Sequence, residues 1–166
     1  MKYKYYEHLF RKKWTQLNKF DTIIYKYSQK YCVSPFLLKS IIVIEQINRG
    51  HWLLNTAEKI IAKFFNKYLI QKDFSIGLCQ IKPSTAKTVF PKISHEKISL
   101  ILLKQESNIH ICAKILTPYN FKSIEEIILL YTTGSTNKNH LKNPAIKLYI
   151  NLCKIGMQNN FDHLPE

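Results

Sequence analysis

A chain of 166 residues with 46% hydrophobic content can bury one substantial core, which excludes a disordered polymer and favours a single domain. Its 25 basic and 11 acidic residues leave a formal net charge of +14, which directs it toward polyanions: cell-wall polymers, anionic membrane surfaces or nucleic acid. Base-reading nucleic-acid recognition is disfavoured, because bidentate recognition of guanine relies on arginine, and Arg11 and Arg49 are the only two.

The pattern along the chain is helical, with little strand alternation. Residues from about Tyr5 to Leu17 read as a basic amphipathic helix, whose Arg11-Lys12-Lys13 run is a solvated face or a dock for anionic wall polymers. Asp21 can N-cap a second helix through Ile23, Ile24, Tyr27 and Tyr31. Ser34-Pro35 pairs a capping hydroxyl with a proline at the first helical position and opens a run to about Asn48. Apolar residues cover nearly the whole circumference of that helix, so it is expected to pass through the middle of the domain. Gly50 reads as its stop. Asn55 and Glu58 then resemble a capping box for a helix through Ile60, Ile61, Phe64 and Phe65 to about Leu69.

Residues 71–82 read as irregular or weakly extended, and Pro83-Ser84-Thr85 opens a helical turn toward Val89. Ser94 caps a helix through Ile98, Ile101 and Leu102, and Ser107 or Asn108 is the expected cap of the next, through Ile111, Ile115 and Leu116. Ser123-Ile124-Glu125-Glu126 is a capping box for the helix Ile127 to Thr133, stopped at Gly134, and Asn143-Pro144 opens the last, expected to end about Ile155 before Gly156. No linker or internal repeat divides the chain. Residues 1–24 read as a basic helical extension packed on a domain formed by 25–166.

The four cysteines, Cys32, Cys79, Cys112 and Cys153, have neither metal-ligand spacing nor a Cys-x-x-Cys pair, and their apolar contexts favour buried free thiols over disulfides. No metal or other cofactor is expected. The six histidines are scattered without a nucleophile partner and read as surface or structural. No run approaches the roughly 18 apolar residues of a membrane-spanning helix, and no apolar stretch follows the basic start as in a secretory signal, so no export route is specified.

Glu45 is the most informative residue. It lies inside Ile41-Ile42-Val43-Ile44-Glu45-Gln46-Ile47, where desolvation disfavours the carboxylate and keeps the acid protonated near neutral pH, able to donate. Further along come Ser75-Ile76-Gly77-Leu78-Cys79-Gln80-Ile81, then Asn108-Ile109, then Tyr131-Thr132-Thr133-Gly134. This series resembles the soluble lytic transglycosylase family, related in fold to goose-type lysozyme, over roughly Tyr25 to Ile155. Gln46 stands where that family has serine, Cys79 where it has methionine, and Thr132-Thr133 where it has asparagine and a small residue.

The resemblance implies a mainly α, single-domain lysozyme-like fold with a central buried helix and a substrate groove. It further implies that Glu45 protonates the glycosidic oxygen between N-acetylmuramic acid and N-acetylglucosamine. The ionised Glu45 then takes the proton from the muramoyl C6 hydroxyl, whose attack gives a 1,6-anhydro product. Participation of the substrate's acetamido group replaces a second protein carboxylate. Ser75, Gly77, Leu78, Gln80, Ile81, Asn108 and Tyr131 are the implied groove residues, with the Tyr131 hydroxyl reaching Glu45.

Each also has an ordinary role. Glu45 can snorkel at a helix end, Gly77-Leu78 can form a plain turn, Asn108 can cap a helix, and Tyr131 can be a core aromatic. Asp73 is either a loop or cap residue or a second acid that activates water in a lysozyme-type hydrolase. Alternative functions are a degenerate, non-catalytic wall-binding domain and a basic helical nucleic-acid-binding protein that uses its 13% aromatic content for stacking. The partner expected of this sequence is the peptidoglycan glycan strand, met at the cell wall by a monomer without specific nucleic-acid recognition.

Overall fold

The computed structural model describes residues 2–49 and 66–158. These residues are mainly helical, and no strands longer than an isolated bridge occur among them. Helix α1 (Lys2–Gln16) leads through a 3-10 turn at Asn18–Phe20 directly into α2 (Asp21–Tyr31). Asp21 is therefore the first residue of α2 and not its cap, and its carboxylate binds Lys39 Nζ at 2.5 Å. Lys39 is only 5% exposed, with its ammonium over the Trp14 ring, so burial lowers its pKa while Asp21 supports the charge.

Helix α3 (Pro35–Asn48) starts as its sequence dictates, with Ser34 Oγ accepting from Leu37 N and proline in the first turn, where it loses no helical bond. Every residue from Leu37 to Ile44 is buried, and the helix packs against α1, α2 and α9 (Pro144–Gln158). Gly50 and the proposed Asn55–Glu58 box, with the helix start through Ile60, Ile61, Phe64 and Phe65, lie outside the described residues, which resume with helix α4 (Asn66–Gln71).

Helices α5 (Pro83–Val89), α6 (His95–Leu102) and α7 (Gln105–Leu116) follow. Ser94 Oγ caps α6 by accepting from Lys97 N. The expected cap of α7 is corrected: the helix begins at Gln105, so Ser107 and Asn108 lie inside it, and Asn108 is fully buried. Helix α8 (Ile124–Thr133) carries the capping box, with Ser123 and Glu126 each satisfying the other's backbone N–H, and ends at Gly134 with φ +67°. Both features are local, which is why the sequence displays them.

Helix α9 does not stop before Gly156 but continues to Gln158. Gly156 is a packing position, since a Cβ there would strike Ser40 Oγ and the Trp14 ring. Cys79, Cys112 and Cys153 are buried thiols; Cys32 is exposed, in the left-handed position that ends α2, contrary to the apolar context expected for it. His110 is structural, its ring stacked on Tyr27 and bonded through Nε2 to the Tyr31 hydroxyl. Among the described residues no helix is long and apolar enough to cross a membrane.

Candidate active site

The last turns of α3 emerge from the core onto an open cleft of about 930 Å³, presenting Ile44, Glu45, Ile47 and Asn48. Helices α8 and α9 supply another part of the lining, including Tyr131 and Tyr149, the segment 73–82 with α5 supplies a third, and Tyr6 of α1, Ile115 of α7 and Tyr119 complete it. Glu45 is partly buried. Desolvation raises its pKa from the ordinary 4.5 to about 7, and the hydrogen bond that the Tyr149 hydroxyl donates to Oε1, at 3.0 Å, opposes that rise. The carboxyl group is thus near half-protonation at neutral pH, where both delivery and recovery of a proton are accessible.

The segment beside it is a tight turn. Ile76 and Ile81 exchange both backbone hydrogen bonds, at 2.9 and 3.1 Å, and Gln80 N donates to Gly77 O. Gly77 has φ +80°, and a Cβ on it would collide with Asn108 and with the Leu102 carbonyl. Asn108 is the reason for that closeness: its Oδ1 accepts from Cys79 N at 2.7 Å, and its Nδ2 donates to Ile76 O and Leu102 O. From the α3 side, Gln46 Nε2 donates to Leu78 O at 2.7 Å and Arg49 to Gly77 O. The turn is therefore clamped to the helix that carries Glu45 and to α7.

Of the expected site residues, Glu45, Asp73, Ser75, Gln80, Ile81 and Tyr131 line the cleft. Gly77, Leu78 and Asn108 are not among its described lining residues, and their bonds hold the turn together instead. Gln80 reaches the cleft, but its Nε2 donates back to Gly77 O. The Tyr131 hydroxyl does not reach Glu45: it donates to Cys79 O at 2.5 Å, with Cys112 Sγ 3.8 Å away. Tyr149 occupies the place assigned to it. Burial holds both phenols well above their usual range, so each keeps its proton to donate.

Tyr149 escaped the sequence reading although a signal existed. It shares the apolar stripe of α9 with Ile146, Ile150 and Cys153, and a hydroxyl on such a stripe needs a partner inside. Asp73 takes its cap role: Oδ1 accepts from Ser84 N and Oδ2 from Ser84 Oγ at the start of α5. Thr132 and Thr133, the departures from the family pattern, bond the carbonyls of Ile128 and Leu129 in their own helix.

Comparison with known protein families, curated proteins and solved structures finds no match to the chain. Among the described residues no group of three or more His, Cys, Asp and Glu could hold a metal ion. What the geometry offers is a partly buried acid, Glu45, at an open cleft, hydrogen-bonded by the Tyr149 phenol.

Proposed function

We propose that the protein is a lysozyme-like lytic transglycosylase that cleaves the β-1,4 bond between N-acetylmuramic acid and N-acetylglucosamine in peptidoglycan. The observation that carries this reading is Glu45, desolvated to a pKa of about 7 yet open to a cleft that can admit a glycan strand. As general acid it gives its proton to the leaving glycosidic oxygen. As carboxylate it accepts the proton of the muramoyl C6 hydroxyl while that oxygen closes on the anomeric carbon. Proton and bond balance is complete without water, and the acid returns to its starting state.

The Tyr149 hydrogen bond favours the ionised form and so serves the first half of the cycle, in which Glu45 gives up its proton. The free enzyme must hold its proton to begin, so kcat/KM is expected to fall as pH rises through about 7. In Tyr149→Phe the opposing hydrogen bond is gone, the Glu45 pKa moves further up, and this alkaline limb shifts to higher pH. A pH profile of sacculus solubilisation that is unchanged in Tyr149→Phe contradicts the assignment.

Asp73 in the same cleft favours a second reading, hydrolysis with Asp73 activating water. Against it, both carboxylate oxygens are engaged by Ser84. Mass spectrometry of the released muropeptides tests the choice: 1,6-anhydro ends are expected, and reducing ends would establish the hydrolase. Asp73→Asn keeps an acceptor for Ser84 N and is expected to cleave near the wild-type rate. A loss of about 100-fold or more would give Asp73 the catalytic role.

A further inference from the structure

The helix that precedes the family-like segment also reaches the cleft. Helix α1 packs against α3 and α9, the two helices that carry Glu45 and Tyr149. Its inner stripe runs Tyr6, Phe10, Trp14, Leu17, at the spacing of a helix face. Phe10 is 0% exposed, and Trp14 and Leu17 are nearly as deep, so the stripe is held in the core over most of its length. Tyr6, one turn before Phe10, is where the stripe leaves the core: its ring is partly exposed, packs against the core cluster on one side and lines the Glu45 cleft on the other. Tyr5 braces it, edge to face at 5.6 Å.

We propose that Tyr6 is a sugar-stacking residue of the cleft, a flat platform for one pyranose ring of the glycan strand. This rests on the reading of the cleft as a glycan site. A pyranose in a β-1,4-linked strand presents C–H bonds on one face and hydroxyls at its edge, so its apolar face matches an aromatic ring while the edge stays hydrated. Of the other lining tyrosines, Tyr149 is nearly buried and bonded to Glu45, Tyr131 is bonded to Cys79, and Tyr119, in the 3-10 turn after α7, is a second partly exposed ring on the lining. Tyr6 has the remaining requirements: it is anchored by packing, so little side-chain freedom is lost on binding, and it is open on the cleft side. The basic amphipathic extension is then a part of the substrate site and not only a charged attachment.

The test measures binding without turnover, by titration calorimetry of Glu45→Gln protein with peptide-free peptidoglycan glycan strands. Adding Tyr6→Leu, which keeps an apolar group on the stripe but removes the flat face, is expected to weaken binding about tenfold. Tyr6→Phe retains the face and is expected to stay within about twofold, since it loses only the hydroxyl. Equal binding by the Leu and Tyr forms overturns the inference while leaving the glycan reading intact, as does an equal loss in Phe and Leu, which would assign the effect to the hydroxyl. Absence of strand binding by the Glu45→Gln parent overturns the glycan reading and the inference with it. Should Tyr6→Leu fail to fold, Tyr6→Trp serves in its place: binding at least as tight as that of Tyr6 supports the platform, and weaker binding overturns it.

Discussion

Glu45→Gln is expected to lower the rate of sacculus cleavage by about 10²–10⁴-fold, the usual worth of a positioned proton donor and acceptor. The substitute is isosteric, and its carbonyl can still accept from Tyr149, but it has no proton to give and no basic oxygen to take one. The same change should make the protein more stable at alkaline pH. In the unfolded chain Glu45 titrates near 4.5, and in the folded protein at about 7. Between these values the native state holds a proton that the unfolded state has released, so the stabilising contribution of the neutral acid is full below pH 4.5 and is lost as pH rises through 7. Displacement from 4.5 to about 7 is worth about 3 kcal/mol above the upper value. Glutamine does not titrate and escapes this cost. Urea unfolding of the variant and wild type should therefore agree near pH 4 and diverge by pH 8, with the variant ahead by up to about 3 kcal/mol. A variant that loses activity and also loses stability at pH 8 would mean that Glu45 is a structural acid with favourable partners. Loss of activity with a gain of stability is the signature of a strained catalytic group.

How far the sequence discloses this arrangement depends on the range of each interaction. Ser34-Pro35, Ser94 and the Ser123–Glu126 box are visible because a cap and its N–H lie within one turn, so composition and geometry coincide in a few residues. The burial of α3 is visible for a related reason, as its apolar residues cover the circumference regardless of what they meet. Asn108 is the opposite case. Its residue type points to a cap, yet its three bonds reach Ile76, Cys79 and Leu102, and the partners 29 and 32 positions away leave no local trace. Gly156 resembles a stop by type, but it is required by the rings of Trp14 and Phe10 that α1 brings against α9. At the cleft, the acid and the turn are recognisable from order and residue type, whereas the phenol that bonds Glu45 is decided by which helix, α8 or α9, sits nearer. Tyr131 and Tyr149 are equivalent by composition; only packing distinguishes them.

The largest stability loss is expected where that long-range bonding is most concentrated. Asn108→Ala deletes the acceptor for Cys79 N–H and the donors to the carbonyls of Ile76 and Leu102, all behind the cleft and away from solvent. Each buried group left without a partner costs about 1–3 kcal/mol, and the void adds a further penalty, so a destabilisation of about 3–5 kcal/mol is expected in urea or thermal unfolding. Asn108→Asp separates the causes: it keeps the acceptor for Cys79 N–H but turns the donor side into a second acceptor facing two carbonyls, and should be as damaging as Ala despite its size. Gly77→Ala attacks the same joint from the other side, because a methyl group at φ +80° is strained and would displace the Asn108 amide. The functional consequence separates a clamp from a binding residue. If Asn108 only holds the turn, a variant that remains folded should raise KM through misplaced Ser75, Gln80 and Ile81 while leaving the alkaline limb of Glu45 near pH 7, since desolvation and Tyr149 set that pKa from α3 and α9. A shifted limb in folded Asn108→Ala would show instead that the turn itself excludes water from Glu45, and that catalysis and loop closure are one coupled structure.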